Sequence, residues 1–268
     1  MIARFLRSAG QITLALGCSL TSFAAEIGLK DGEQFSYRVS WGIFGRAGDI
    51  TVSANEVLAD ENPELRIRTE TSTRGFIRAI YPFDGQADTF YDLQSGNFKR
   101  ATAETKSRSK ETKAAISFDY TADQAQYTDF LSEERSVTLP IPENNPADFI
   151  TTLIQTRNWD LKLGEQRAVS VLFDDEFYEL VITAEAEEEV NTKWGKKVAL
   201  VLVPRMETEP KGMFKRGGEV KVWLSQDESP LPLRFQVKMG VGTGLAILTD
   251  YQDSTASASD PAVKKKNS

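Results

Sequence analysis

GEQFSYRVSW, residues 32–41, shows the pattern that decides the fold class. Within it, Phe35, Tyr37, Val39 and Trp41 alternate with polar residues, as in a β-strand that turns one face to the core and one to water. The same period of two returns at 50–54, 65–67, 114–118, 169–173, 220–224 and 233–237. We expect about a dozen antiparallel strands in an all-β fold, arranged as one large, strongly curved sheet or as an open barrel or sandwich.

One run, VALVLV at residues 198–203, is apolar without alternation and indicates a central strand that is buried on both faces. Strands do not alternate with long helical patterns, which argues against a parallel α/β sheet. The sequence has no linker between residues 26 and 252, so it predicts a single β-rich domain over 25–253. The small, polar residues of 254–268 are typical of a disordered tail.

Two segments interrupt the strand pattern. Asn145 followed by Pro146 forms a good helix start with Asn145 as the N-cap, and we expect one main helix over about 146–158. The apolar stripe of this helix consists of Phe149, Ile150, Leu153 and Ile154. The second segment, 75–82, is predicted as a helical turn that ends at a proline. Since one helix cannot cover so large a sheet, its stripe is expected to fill the mouth or the inside of the curved sheet.

The composition restricts the chemistry. The 268 residues contain no His and one Cys, with 32 Lys and Arg against 39 Asp and Glu, a formal net charge of −7. Without imidazole, His general bases, Ser-His-Asp and Cys-His nucleophiles and His-ligated metal sites are excluded. We therefore expect no transition metal and no cofactor. The acidic net charge argues against a nucleic-acid partner.

The first 24 residues have the features of a secretory signal peptide: two arginines, a short apolar stretch, and Ser22-Phe23-Ala24 before the cleavage point. Neither this stretch nor any later one has the length needed to span a bilayer. The sequence predicts an exported, periplasmic protein that begins at Ala25. In an alternative interpretation, Cys18 is acylated and anchors a lipoprotein. Against that alternative, Ala15 stands where lipoprotein signals usually have Leu.

Three further clusters allow both a functional and a structural interpretation. Asp174-Asp175-Glu176 places two carboxylates at a spacing used by glycoside hydrolases, but its position between two apolar runs favours a hairpin turn. The basic segment 99–113 is either a docking strip for an acidic partner or a hairpin whose cations protect an edge strand. The glycine-rich segment 240–244 lacks the helix that must follow a dinucleotide site, and favours a hairpin or a bulge.

Several stretches, taken in order, resemble a family of exported bacterial proteins known as domain of unknown function 3108. They are Gly32–Trp41 with Gly48; Arg74-Gly75-Phe76 and Tyr81-Pro82 with Asp88 and Tyr91; and a closing block with Gly212-Met213-Phe214, Val222-Trp223-Leu224-Ser225 and Leu231-Pro232-Leu233-Arg234. The resemblance covers about residues 30–252, nearly the whole predicted mature chain, and implies a β-rich envelope protein without assigned catalytic residues. The chain departs from the family pattern at Thr192-Lys193-Trp194-Gly195, where members often have Thr-Pro-Ala-Gly.

We expect a non-enzymatic protein that binds or carries a hydrophobic, lipid-like ligand in a cavity between the two helical segments. The predicted binding residues are Arg74, Phe76, Arg78, Ile80, Tyr81, Phe149 and Leu153. Two alternatives stay open: an envelope assembly module that uses a sheet edge or the basic segment, and a His-free hydrolase with a carboxylate pair. A hollow apolar interior favours ligand binding, an exposed apolar patch favours the module, and two inward carboxylates favour the hydrolase.

Overall fold

The structure is a computed structural model that describes residues 27–59, 62–173, 175–206, 214, 218–240 and 242–254. The predicted signal peptide, the predicted terminus at Ala25 and residues 255–268 of the predicted tail lie outside the described residues.

The described residues form one fifteen-stranded sheet with two short α-helices and two 3₁₀ turns. The strands are β1 (Gln34–Trp41), β2 (Phe44–Ala59), β3 (Asn62–Thr73), β4 (Phe83–Asp92), β5 (Phe98–Ser107), β6 (Glu111–Asp119), β7 (Gln124–Asp129), β8 (Val137–Pro140), β9 (Ala147–Asp148), β10 (Gln166–Phe173), β11 (Glu176–Thr192), β12 (Gly195–Met206), β13 (Glu219–Ser225), β14 (Pro232–Met239) and β15 (Gly242–Gln252). The helices are α1 (Gly75–Ile80) and α2 (Phe149–Gln155), and the 3₁₀ turns are Glu133–Arg135 and Thr156–Asn158.

The strand order is that of a meander that starts in the middle of the sheet. It runs β8-β7-β6-β5-β4-β3-β2-β1-β15-β14-β13-β12-β11-β10-β9. The chain therefore leaves the centre at β1, reaches one edge at β8, crosses to the other edge at β9 and returns to pair β15 with β1. Every pairing is antiparallel except that of β9 with β10. The predicted all-β class and the large antiparallel sheet are confirmed, and the sheet is not closed into a barrel.

The sheet is rolled so that its two ends overlap. Residues that pair across neighbouring strands lie on the same face of the sheet. Traced from strand to strand through these pairs, one face contains Val39, Ala246, Phe235, Val222 and Leu202. We call this side the first face.

On the other half of the sheet, the first face continues from Phe35 through Val52 and Ala87 to Phe118. The Phe118 ring lies 6.0 Å from the ring of Phe177, whose place in β11 puts it on the opposite face. We call β1–β8 the outer turn of the roll and β9–β15 the inner turn. The first face of the outer turn thus packs on the opposite face of the inner turn.

Two hydrophobic clusters follow from this arrangement. The larger one lies between the turns and joins Phe35 and Ile67 of the outer turn to Val201 and Trp223 of the inner turn. The smaller one lies on the first face of the inner turn, where Leu153 of α2 packs with residues such as Leu202. Because β12 has a cluster on each side, residues 199–203 are buried on both faces, as predicted, although Val198 is 54% exposed.

The main helix begins later than the sequence predicts. Its N-cap is Asp148, whose Oδ1 accepts a hydrogen bond from the Thr151 amide at 3.0 Å, and not Asn145. The chain before it is extended because Ala147 and Asp148 form β9 on the edge of β10. The Asn145 side chain instead accepts from the Tyr120 hydroxyl at 3.1 Å and fixes the loop that leads into β9.

The three clusters with two interpretations all lie at hairpins. Asp175 is in the turn between β10 and β11, Gly240 is in the turn between β14 and β15, and the basic segment is the β5–β6 hairpin with its turn at 107–110. The structural interpretations of the acidic and glycine-rich clusters are therefore confirmed at the level of local structure. Asp174 lies outside the described residues.

Candidate functional site

A groove of about 210 Å³ lies on the first face of the outer turn, where the inner turn no longer covers it. Its floor consists of small side chains from β3 to β6: Thr69, Ala87, Ala101, Ala103 and Ala114. A sheet face lined by Ala and Thr leaves unfilled space above it, because these side chains are too short to reach the opposite layer. The groove is therefore a direct result of which residues point inward.

The walls of the groove come from both turns of the roll. Ile116 and Tyr127 lie on the outer turn, while Ile150 of α2 and Leu172 of β10 belong to the inner turn. These side chains make the surface mostly apolar. Only Asp148 brings a carboxylate to the lining.

Asp148 is held by contacts that fix α2 over the groove. The Tyr91 hydroxyl donates to Asp148 Oδ2 at 3.3 Å, while Asp148 Oδ1 caps the helix at Thr151. Tyr91 is fully buried, and this burial, together with the nearby charge of Asp148, raises its pKa well above the usual tyrosine range. The hydroxyl therefore stays protonated and remains a donor to the carboxylate.

The α1 segment lies beyond the other end of the same strands. Arg74 Nε donates to Asp49 Oδ2 at 3.0 Å, and Arg78 donates two hydrogen bonds to Asp84 at 2.9 and 2.8 Å. The hydrogen bonds and charge of Arg78 hold the pKa of Asp84 below its usual value. Both arginines among the predicted binding residues are thus paired with acids of the outer turn.

Three large apolar residues of this segment, Phe76, Ile80 and Tyr81, are exposed, and Ile77 is half-buried. Phe76 stacks on Phe44 with ring centroids 5.4 Å apart, and Tyr81 stacks on Phe83 at 6.5 Å. Ile80 is also exposed, and none of the residues of α1 is buried. The segment forms an apolar projection, and Arg74 at its start lines a polar cleft of about 550 Å³.

The two predicted residues of α2 lie on the far side of the inner turn. Phe149 packs edge-on against Phe173 and Phe214, at 6.1 and 6.4 Å, around a cavity of about 10 Å³. Leu153 is buried in the smaller cluster. The seven predicted binding residues thus occupy two separate places, and none of them lines the groove.

The residues that form the groove were missed because the sequence analysis sought large apolar side chains. The available signal was the alternation of small residues at inward positions, as in Ala101 and Ala103 of β5. Ile150 belonged to the predicted apolar stripe, and it is the residue of α2 that reaches the groove.

A second, polar cleft of about 560 Å³ opens at the end of the roll near α2. Asn97, Gln155 and Trp159 line it, and Arg167 stacks over the Trp159 ring at 4.8 Å. The acidic hairpin considered for a hydrolase is elsewhere, and there the Tyr178 hydroxyl donates to Glu176 at 2.7 Å.

In the part of the chain that the structure describes, no helix combines the length and the apolar character that crossing a membrane would require.

Comparison with known families gives one match to this sequence. The family described as "Protein of unknown function (DUF3108)" matches residues 36–249. Among curated proteins, none matches the chain.

One solved structure shares the fold at low sequence identity, and two others match with lower TM-scores. A beta-barrel-like protein of domain of unknown function DUF1849 from Brucella abortus superposes with a TM-score of 0.53 and 11% identity, covering 82% of this chain and 97% of its own. A "putative lipoprotein" from Parabacteroides distasonis gives a TM-score of 0.30 and 9% identity, with 83% and 96% covered. A "putative exported protein" with a YmcC-like fold from Bacteroides fragilis gives 0.29 and 9%, with 84% and 97% covered.

Proposed function

This chain belongs to the family of proteins of unknown function DUF3108, and we propose that it is a non-enzymatic, exported cell-envelope protein that binds a hydrophobic, lipid-like ligand. The groove on the first face of the outer turn is the proposed binding site. The single observation that supports this most strongly is its floor of inward Ala and Thr side chains, which leaves an open apolar trough beside the region where the two turns overlap.

The dimensions of the groove favour a narrow ligand. Its volume of about 210 Å³ lies below the ~300–1,000 Å³ typical of sites that enclose a whole drug-sized molecule. It corresponds to about seven water molecules, at roughly 30 Å³ each. A single acyl chain, whose polar end stays outside, fits such a trough better than a complete two-chain lipid.

The lining favours binding over catalysis. Apart from Tyr127 and Asp148, the lining consists of Ala, Thr, Ile and Leu side chains, and the chain has no His that could activate a Thr hydroxyl. The carboxylate of Asp148 already caps α2 and accepts from Tyr91. This geometry supports Asp148 as a positioning residue for the groove wall.

Export to the periplasm is part of the proposal and rests on the leader sequence, with a mature terminus at Ala25. Anchoring as a lipoprotein through Cys18 is the alternative form. Either form would place the groove within reach of envelope lipids.

The test is a titration with a fluorescent fatty acid, with competition by an unlabelled one. We expect saturable binding to the wild type. In the Ala103→Leu variant the added side chain would stand in the trough, and binding should weaken at least about tenfold. Ser117→Leu, on the exposed opposite face of β6, is the matched control and should bind like the wild type. A wild type that shows no saturable binding, or an Ala103→Leu variant with unchanged affinity, would refute the proposal.

A second candidate function is an assembly module, and the edge strand β8 favours it. Val137 on this strand and Phe130 and Leu131 just before it are exposed apolar residues. An open edge beside apolar side chains can add a strand from another protein. Pro140 and the four-residue length of β8 limit how long such a pairing could be.

A further inference from the structure

We propose that the apolar projection at α1 docks on an anionic lipid bilayer surface. The projection, called the α1 tip here, consists of Ile43, Phe44, Phe76, Ile80 and Tyr81. Ile43 is 96% exposed in the turn between β1 and β2, and Phe76 is 61% exposed on α1. Large apolar side chains so exposed and so close together mark an interaction surface and not a packing element.

The tip is a built structure and not a loose set of residues. The stack of Phe44 on Phe76 joins the β1–β2 turn to α1. Phe76 and Ile80 are four residues apart on a helix and therefore share one side. Arg108, from the β5–β6 turn, donates to the Ala79 carbonyl at 2.9 Å and fixes the carboxyl end of α1. These contacts hold the exposed side chains in place.

Cations surround the tip. Six of them lie near it, namely Arg46, Arg74, Arg78, Lys106, Arg108 and Lys110, and the first three form ion pairs with Asp49 or Asp84. The acids of the same region are Asp49, Glu70, Asp84, Glu104 and Glu111, and they line one polar cleft together with Arg74, Lys106 and Lys113. With Lys113 counted, seven cations stand against five acids, a small local excess of positive charge in a protein whose net charge is −7.

Apolar side chains inside a basic rim are the surface chemistry that binds anionic membranes. The rings and aliphatic side chains enter the boundary between headgroups and acyl chains, and Lys and Arg attract the negative headgroups. A protein partner would have to supply a complementary acidic rim around an apolar pocket. A bilayer with anionic lipids supplies both features at once, which is why it is the occupant we choose.

The tip also lies at the end of the groove described above. From Ala87 on the groove floor, β4 runs four residues to Phe83, which stacks on Tyr81, a distance of about 13 Å. Docking would therefore bring the open end of the groove to the lipid surface. This consequence rests on the proposed function, while the docking itself does not.

The experiment is co-sedimentation of the protein with vesicles of mixed phosphatidylethanolamine and phosphatidylglycerol, with phosphatidylcholine vesicles in parallel. We expect binding to the anionic vesicles that weakens with salt. The double variant Phe76→Ser/Ile80→Ser should lose at least about tenfold in affinity. Replacing Lys106 and Lys110 by Gln should weaken binding about fivefold for each charge removed.

The control is Leu58→Ser, which removes an 80% exposed apolar side chain from the opposite end of β2 and should leave vesicle binding unchanged. Fatty-acid titration of each variant separates the two proposals: the Phe76→Ser/Ile80→Ser protein should still bind the fatty acid, while Ala103→Leu should still bind vesicles. Docking is overturned if the wild type does not sediment with anionic vesicles, if it binds phosphatidylcholine equally well, or if the double variant binds like the wild type.

Discussion

The two turns of the roll use strands of the same type in different ways. In the outer turn, one face is buried and the other carries paired charges, as where Asp88 accepts from Arg66 and Arg68 at 2.8 Å. In the inner turn, β12 is buried on both faces. The difference is a matter of position, because the outer turn covers one face of the inner turn and α2 covers the other.

The sequence shows this difference directly. Strands of the outer turn alternate apolar and polar residues, since a polar side chain on the wet face needs no partner from the core. Residues 199–203 of β12 do not alternate, because a polar side chain on either face would lose its contact with water. A long meander can therefore be divided into covering and covered strands from its pattern alone.

The buried ion pair that joins the two turns should give the largest single loss when broken. Glu33, 1% exposed and just before β1, accepts from Arg157 Nη1 at 2.9 Å and from the Tyr251 hydroxyl at 2.6 Å. Arg157 also donates from Nε to the Pro230 carbonyl at 3.0 Å. Arg157→Ala would leave the Glu33 carboxylate buried without its cation, so we expect a loss of about 3–5 kcal/mol in the free energy of unfolding.

Urea unfolding measures this loss, and a double variant tests its cause. In Glu33→Gln/Arg157→Ala the buried charge is gone, so the loss should be smaller than the sum of the two single losses. An Arg157→Ala protein that loses less than about 1 kcal/mol would show that the pair does not join the turns.

The next effect compares neighbouring positions in a covered and a covering strand. Val201→Ala and Leu202→Ala lie on opposite faces of β12, and both should destabilise the protein, the leucine variant by about 2–5 kcal/mol. In β2 of the outer turn, Val52→Ala should destabilise, while Ser53→Ala next to it should change the free energy of unfolding by at most about 0.5 kcal/mol. Urea unfolding of the four variants measures these changes in the free energy of unfolding. A Val201→Ala variant as stable as the wild type would contradict the overlap of the turns.

The fold class and the hairpins could be predicted because they depend on local periodicity. The alternation around Phe35 gave the strands, and the turn at Asp175 followed from polar residues between apolar runs. The roll could not be predicted, because which face of β11 meets β6 depends on curvature accumulated over many strands. The helix start was misplaced at Asn145 for a related reason: the pairing of Ala147 with Val171, a contact between distant residues, overrides a good local cap.

For the candidate site, the sequence indicated an apolar inner surface but not the residues that form it. An apolar surface on the inside of the curve exists, but its floor is made of residues such as Ala87 and Ala103, whose importance lies in the space they leave. Space between layers is a property of packing and has no signature in a single side chain. The residues of α1 were predicted to bind a ligand because they are apolar. In the structure Phe76 and Ile80 are largely exposed, so they form an apolar surface.

The smallest expected effect is the loss at alkaline pH of the stability that the hydrogen bond between Tyr251 and Glu33 contributes. Burial and the hydrogen bond to the Glu33 carboxylate raise the pKa of Tyr251 from 10.0 to about 12. Between these two values the unfolded chain releases the proton while the folded protein keeps it, so the stability contributed by Tyr251 is complete below pH 10.0 and is lost as pH rises toward about 12.

Tyr251→Phe removes both this hydrogen bond and this titration. At neutral pH the variant should be less stable than the wild type by about 1.5–3 kcal/mol at most, the usual range for a hydrogen bond to a charged group. As pH rises above 10.0, the difference in the free energy of unfolding should shrink. The reason is that only the wild type has a hydroxyl at residue 251 that ionises in the unfolded chain while the folded protein keeps it protonated beside Glu33. Tyr120, whose pKa burial raises to about 12, titrates equally in both proteins and does not affect the difference.

Urea unfolding at neutral pH and again between pH 10.0 and about 12 measures this difference in the free energy of unfolding. A difference that stays constant across that interval would mean that Tyr251 is not coupled to the buried ion pair, and that the ion pair holds the turns together without it.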